Sequence, residues 1–318
     1  MALLKALMDI RIWVAASMAV AFLVGPIGDI ASTLVIAVLM MQMVAAMEGL
    51  SFHGDDFRRD AGPIMYCFLA CFGVSTGATL LMGSLFIGDE SLWYGWCMLA
   101  SVPTGVSVIA LTLMMHGNRV LSVLALTVVY LLALGVTPLL TTTLIGDAVS
   151  PFEILMYVVL FIAVPLAATV PLKRFRINGD CKVIFINAMM FLLLIFAVGN
   201  NRDFIFENIL MVAAIAGACL LRTFGVSIAV LYAMKRRGGN RGNAVAYMGF
   251  AVWKNSGLAT SLCLALLSAQ YPEAALPCAV SLMVENVWYA AMNSLIKKVW
   301  PPGTTIQEEI LGPEGART

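Results

Sequence analysis

"FAVWKNSGLAT", residues 250–260, lies inside an apolar run from Ala244 to Leu267 whose single charge is Lys254. A lysine at the middle of a membrane helix costs about 2.5–3.5 kcal/mol on insertion scales. The stretch therefore demands an explanation if it spans a bilayer, and the composition says that it does. The 318 residues are 61% hydrophobic and 12% charged, with a mean hydropathy of +0.95. A soluble domain carries about 25% charged residues, enough to cover a water-facing surface. This chain is an all-α membrane protein by that measure, with the lipid bilayer as its first partner. A net charge of +1 argues against nucleic acid. Its seven cysteines form no Cys-x-x-Cys pair, so neither a disulfide framework nor a metal site is indicated, and no cofactor is expected.

Apolar runs of spanning length recur at roughly 10–25, 30–50, 64–87, 92–115, 119–145, 152–172, 182–199, 206–234, 243–268 and 274–296. Short polar breaks separate them, among them "HGNR", "KRFRINGDCK" and "KRRGGNRGN". With both termini inside, 16 of the 19 basic residues fall on the cytoplasmic side. Such an excess of Lys and Arg is the orientation signal of inner loops. Only Arg202 falls outside, and Arg222 and Lys254 remain within spans. The expectation is ten transmembrane helices in the cytoplasmic membrane, with a polar cytoplasmic tail over 299–318.

Ten spans divide into two five-helix repeats, 1–150 and 151–298. An odd count per repeat makes the second enter the membrane inverted relative to the first, the layout of many secondary transporters. The fourth span of each half is interrupted, by "PTG" at 103–105 and by "KNSG" at 254–257. Proline removes a helix donor and glycine loosens the chain. Either break alone reads as an ordinary kink or a packing patch. The matched pair points to a transport site built on broken, crossing helices.

Four stretches resemble one family. "MEGLSFHGDDFRR" at 47–59, "PTGVSVIALTLMMHGNRVLSVLALT" at 103–127, "KNSGLA" at 254–259 and "ALPCAVSLMVEN" at 275–286 are similar, in order and spacing, to segments of the bile acid:sodium symporter family. The resemblance implies a panel of spans 1, 2, 6 and 7 beside a core of the other six. It also implies that spans 4 and 9 cross at their breaks and that core and panel move against each other. Its substrates are small organic anions. Asn255 and Asn286 match family asparagines that contact substrate, and Thr104, Gly105, Ser107, Ser256 and Thr260 would line the crossover.

The departures from the family bear on the ion. Where sodium-coupled members place ligands, this chain has Phe250, Lys254, Val108 and Ile109, and its third span contains no Gln. Ser122 is retained and Thr127 is one place out of register. A hard cation takes about six oxygen ligands, and apolar side chains supply none. Lys254 then reads as a tethered cation in place of bound sodium, with a proton cycle on the amine as the second role open to it. A buried cation calls for an anionic partner. Glu285 is the candidate for Lys254, and Arg222 is a second internal cation that bonds loop or helix-end carbonyls, attracts the anion on the substrate path, or is the true partner of Glu285.

The function expected is sodium-independent transport of an organic anion by alternating access, with Lys254, Glu285 and Arg222 as the charge set. A passive anion channel or a sensor on a transporter scaffold is the alternative, and the oligomeric state, monomer included, stays open. No His-Glu-x-x-His and no mid-span carboxylate pair suggests an enzyme, so no catalytic residue is assigned.

Overall fold

The computed structural model describes residues 7–26, 30–47, 60–172 and 178–301. The quoted segment 48–59 with Glu48, Arg58 and Arg59, the loop carrying Lys173, Arg174 and Arg176, and the tail from 302 lie outside the described residues.

Helices follow the apolar runs in chain order: α1 (Ile10–Val24), α2 (Ile30–Met47), α3 (Ala61–Phe86), α4 (Glu90–Ser101), α5 (Val108–Met114), α6 (Arg119–Ile145) and α7 (Pro151–Thr169). After them come α8 (Gly179–Asn200), the short α9 (Arg202–Glu207), α10 (Ile209–Arg236), α11 (Arg241–Val252), α12 (Ser256–Leu266) and α13 (Ala275–Val299). The polar breaks supply their caps. Asp89, Asn118, Asn178 and Asn240 each accept from a backbone N–H of the helix that follows, satisfying donors that the first turn leaves orphaned. No strand occurs among the described residues.

Six helices among the described residues are long and apolar enough to cross a membrane: α3, α6, α7, α8, α10 and the Pro272–Val299 stretch containing α13. Large apolar side chains such as Leu210, Leu221, Ile228 and Tyr232 stand exposed along α10, as a lipid-facing helix requires. The runs 92–115 and 243–268 are each divided into two helices, α4 with α5 and α11 with α12.

The helices pack as two groups. In one, α8 lies on α1 and α2, and α7 lies on α2. In the other, α10 packs on α11 and α13, α12 on α13, and α3 on α4, α6 and α11. The groups meet where α12 packs against α2 and α8, where α7 packs against α6, and where α8 packs against α13.

Basic side chains close one end of the second group. Arg241 donates from Nε to the Trp300 carbonyl and from Nη1 to that of His116, both at 2.7 Å, and Lys235 donates to the Val299 carbonyl at 2.7 Å. Cations there oppose the partial negative charge of helix C-termini.

One irregularity lies inside α3. Residues Leu69–Ser75 form a π-helical turn. A π turn shifts the hydrogen-bond register and releases a carbonyl from the α ladder, and such turns are frequent at functional sites. In "FLACFGVSTG" the sequence offers only Gly73 and Gly77 as a sign of it, and no proline.

Candidate functional site

The two interruptions meet. Thr104 and Lys254 face each other in an isolated antiparallel bridge. Gly105 N–H donates to the Trp253 carbonyl at 3.1 Å, and Asn255 N–H donates to that of Pro103 at 2.8 Å. Where helices break in an apolar interior, their freed backbone groups must find partners, and here each broken segment supplies them to the other. Glycine at 105 makes the approach possible: a Cβ there would stand 3.0 Å from Trp253 Cδ1 and 3.3 Å from the Lys254 carbonyl oxygen.

The side chains across this bridge are reciprocal. Thr104 Oγ1 donates to the Phe250 carbonyl, in the last turn of α11, at 3.2 Å. Lys254 Nζ donates to the Ala100 and Val102 carbonyls at the end of α4, both at 2.9 Å. Each side chain thus serves the C-terminal carbonyls of the opposite broken helix, where a donor, and above all a cation, is favoured.

Lys254 is 1% exposed, and its ammonium has two further oxygens in reach. The Cys71 carbonyl, within the π turn, accepts at 3.2 Å, and Thr76 Oγ1 accepts at 3.2 Å. Thr76 turns its own proton to the Ala100 carbonyl at 2.8 Å, which leaves its lone pairs for the lysine. The Phe72 ring lies 5.5 Å from Nζ, within cation–π range. Four neutral oxygens from two segments, α3 and the end of α4, therefore converge on one buried cation.

The expected pairing of Lys254 with Glu285 is not what forms. Glu285 is fully buried and pairs with Arg222, Nη2 to Oε1 at 2.7 Å. Ser281 and Ser256 donate to the same carboxylate at 3.1 and 3.2 Å, and Arg222 also reaches Ser281 and Thr79. Geometry decides the matter. Glu285 on α13 faces α10, where the long guanidinium fork spans the gap, while the lysine stem runs across the crossover toward α3 and α4. The helix-end carbonyls expected for Arg222 belong to Lys254 instead.

Apolar side chains fill three of the positions where sodium-coupled members place ligands. Phe250 and Val108 are fully buried, and Ile109 packs against the core. Ser122 Oγ donates to Thr112 Oγ1 at 3.0 Å, Thr112 to the Val108 carbonyl, and Thr127 to that of Val123. Among the described residues no cluster of three His, Cys, Asp or Glu could hold a metal.

A cleft of about 40 Å³ opens beside the crossover, between α2, α8 and the start of α12. Gly105, Ser107, Asn255 and Ser256 line it with Gln42, Gly257 and the apolar Met43, Met190 and Trp253. Thr104 and Asn286 lie elsewhere. The Thr104 hydroxyl serves Phe250 as above, Asn286 Nδ2 donates to the Leu282 carbonyl at 2.8 Å, and Asn286 Oδ1 is buried without a partner among the described residues. Thr260 bonds back to Ser256. Asn255 caps α12 through Leu258 N–H and donates to the Tyr130 hydroxyl at 2.9 Å. Sequence reasoning gave no functional role to Gln42, Thr76 or Cys71. The first is a lone polar residue in an apolar helix, a signal that was present; the last contributes only a carbonyl, which no side-chain pattern reveals.

A family model described as the Sodium Bile acid symporter family matches residues 33–211, more than half of the chain. No curated protein matches it. The match takes in α4 and the "PTG" break, and it ends before α11, so Lys254 and Glu285 are read on their own geometry.

Proposed function

The chain belongs to the sodium bile acid symporter family, a family of membrane transporters, and on that premise we propose that it is a secondary transporter of an organic anion that works without sodium. It is a multi-pass membrane protein. The observation that carries the proposal is the oxygen cage around Lys254 Nζ. Carbonyls and a hydroxyl are the donor atoms a hard cation takes. Here a cation that cannot diffuse away occupies them.

Further features support the finer reading. The reciprocal donation by Thr104 and Lys254 across an antiparallel bridge is what two inverted repeats, 1–150 and 151–298, would produce at their crossing. The packing group of α1, α2, α7 and α8 corresponds to a panel and the rest to a core. Basic residues gathered at the ends of α5, α10 and α13 favour cytoplasmic termini in the cytoplasmic membrane. The Arg222–Glu285 pair is neutral as a unit, which leaves the Lys254 charge to keep the crossover positive for an anion. The cleft holds a few water molecules at most, whereas a bound organic molecule needs about 300 Å³ or more. Panel and core must therefore separate for substrate to enter, as alternating access requires.

Sodium is expected neither to stabilise the fold nor to drive transport. Melting curves of the detergent-solubilised protein should coincide in NaCl, KCl and choline chloride at equal ionic strength. A ligand at about 100 times its dissociation constant adds roughly 2.7 kcal/mol, so a rise specific to NaCl would be visible and would overturn the proposal.

Gly257 offers a structure-sparing test of the cleft. A Cβ there would meet Met190 Cε, Gln42 Oε1 and Asn255 Oδ1 at 3.6, 3.7 and 3.8 Å, ordinary contact distances. Gly257→Ala should therefore fold, and gain about 0.4–1 kcal/mol from the stiffer unfolded chain, while its methyl group occupies the cleft. Thermal stability at or above wild type with reduced anion uptake into proteoliposomes is the expected result. Undiminished uptake would place the substrate elsewhere.

A further inference from the structure

Gln42 sits on α2, across the cleft from the first turn of α12. Its side chain is 5% exposed and lines the cleft, and it makes no hydrogen bond with the described residues. Oε1 stands close to where a Gly257 Cβ would be, beside Asn255 Oδ1 and Met190 Cε. A primary amide carries two N–H donors and an acceptor, and burying such a group unpaired is unfavourable. Of the other polar side chains lining the cleft, Ser107 is exposed and three are already committed. Asn255 serves Tyr130 and Leu258, Ser256 serves Glu285, and Lys254 serves its four oxygens. Gln42 is left aimed at the cleft with its capacity unused, on the helix group facing the crossover.

We propose that Gln42 selects the substrate by hydrogen bonding to a neutral polar group, a hydroxyl or an amide, carried near the anionic end of the transported molecule. The inference rests on the reading of this cleft as the substrate site. A neutral amide adds no charge to attract an anion, so its contribution is discrimination. A site built to bond a hydroxyl penalises the analogue that lacks it, because the buried amide is then left unpaired. Met43, Ile186, Met190 and Leu282 around it accept hydrocarbon. Gln42 reaches the substrate across the cleft once the two helix groups have parted enough to admit it, so the contact is made and broken as those groups move.

The test is a set of thermal-shift titrations in choline chloride, with matched probes: propionate against lactate, phenylacetate against mandelate, and valerate against N-acetylglycine. Wild type should bind the polar member of at least one pair roughly three- to tenfold more tightly, the range of one hydrogen bond. Gln42→Leu should bring that pair within about twofold while still binding the apolar member. Gln42→Met, an unbranched apolar replacement, repeats the measurement should the leucine variant melt early. Equal responses of wild type to both members of every pair, absence of response included, overturn the proposal. So does discrimination that survives in both variants, which would leave Gln42 a hydrated side chain. A sodium-specific rise in melting temperature would instead sink the sodium-independent reading, and these choline titrations do not depend on it.

Discussion

Glu285→Gln is expected to cost about 3–5 kcal/mol of stability, the usual loss when one member of a buried ion pair is removed. The carboxylate is fully buried and receives Arg222, Ser281 and Ser256. A glutamine keeps the volume and an acceptor but cancels the charge, and the guanidinium is left buried among Thr79 and Ser281 hydroxyls. The double change Arg222→Met with Glu285→Gln should recover most of the loss, because a buried pair replaced as a unit is often neutral in its effect. Melting curves of the two single variants and the double variant, closed into a cycle, measure the coupling. The same cycle between Lys254 and Glu285 should give a small fraction of that energy, since the two share no hydrogen bond. A Lys254–Glu285 coupling as large as the Arg222–Glu285 one would mean that the charges are wired differently from the geometry described above.

The pairing was half legible in the sequence, and the reason is geometric. Each of Lys254, Arg222 and Glu285 is conspicuous as a charge inside an apolar run. Which cation meets the carboxylate depends on the rotation of α10 against α13, and hydropathy carries no such information. The helix positions were more legible because spanning length and apolar content are properties of contiguous residues. The breaks at "PTG" and "KNSG" were legible for a similar reason: proline and glycine act locally. The cage around Lys254 was not. Three of its four oxygens are backbone carbonyls, and one of these belongs to a π turn that only packing fixes. Thr104 shows the converse. It was read as a residue lining the crossover, and its hydroxyl serves the Phe250 carbonyl, a job that any donor on a broken helix can be drawn into.

Lys254→Met is the change expected to do most to function, and it separates the roles open to this residue. Methionine matches the stem of the lysine and deletes the ammonium. Thr76 still reaches the Ala100 carbonyl, but the Val102 and Cys71 carbonyls lose a strong donor inside the bundle. A buried acceptor left unmet costs about 1–3 kcal/mol, so a loss of roughly 2–5 kcal/mol is expected, with the α4–α12 crossing loosened. Sodium should not restore it. Four oxygens remain where a hard cation takes about six, and Phe250, Val108 and Ile109 add none. If Lys254 acts solely as a fixed cation, the variant should lose both exchange and net uptake of anion in proteoliposomes, with or without a pH gradient. If the amine also carries a proton through the cycle, the variant should keep some exchange and lose only uphill uptake driven by pH. A potential imposed with valinomycin reads the charge moved, since one charge crossing 100 mV is worth roughly 2.3 kcal/mol. Uphill accumulation by Lys254→Met equal to wild type would remove both roles at once and leave the caged ammonium as a helix tie alone.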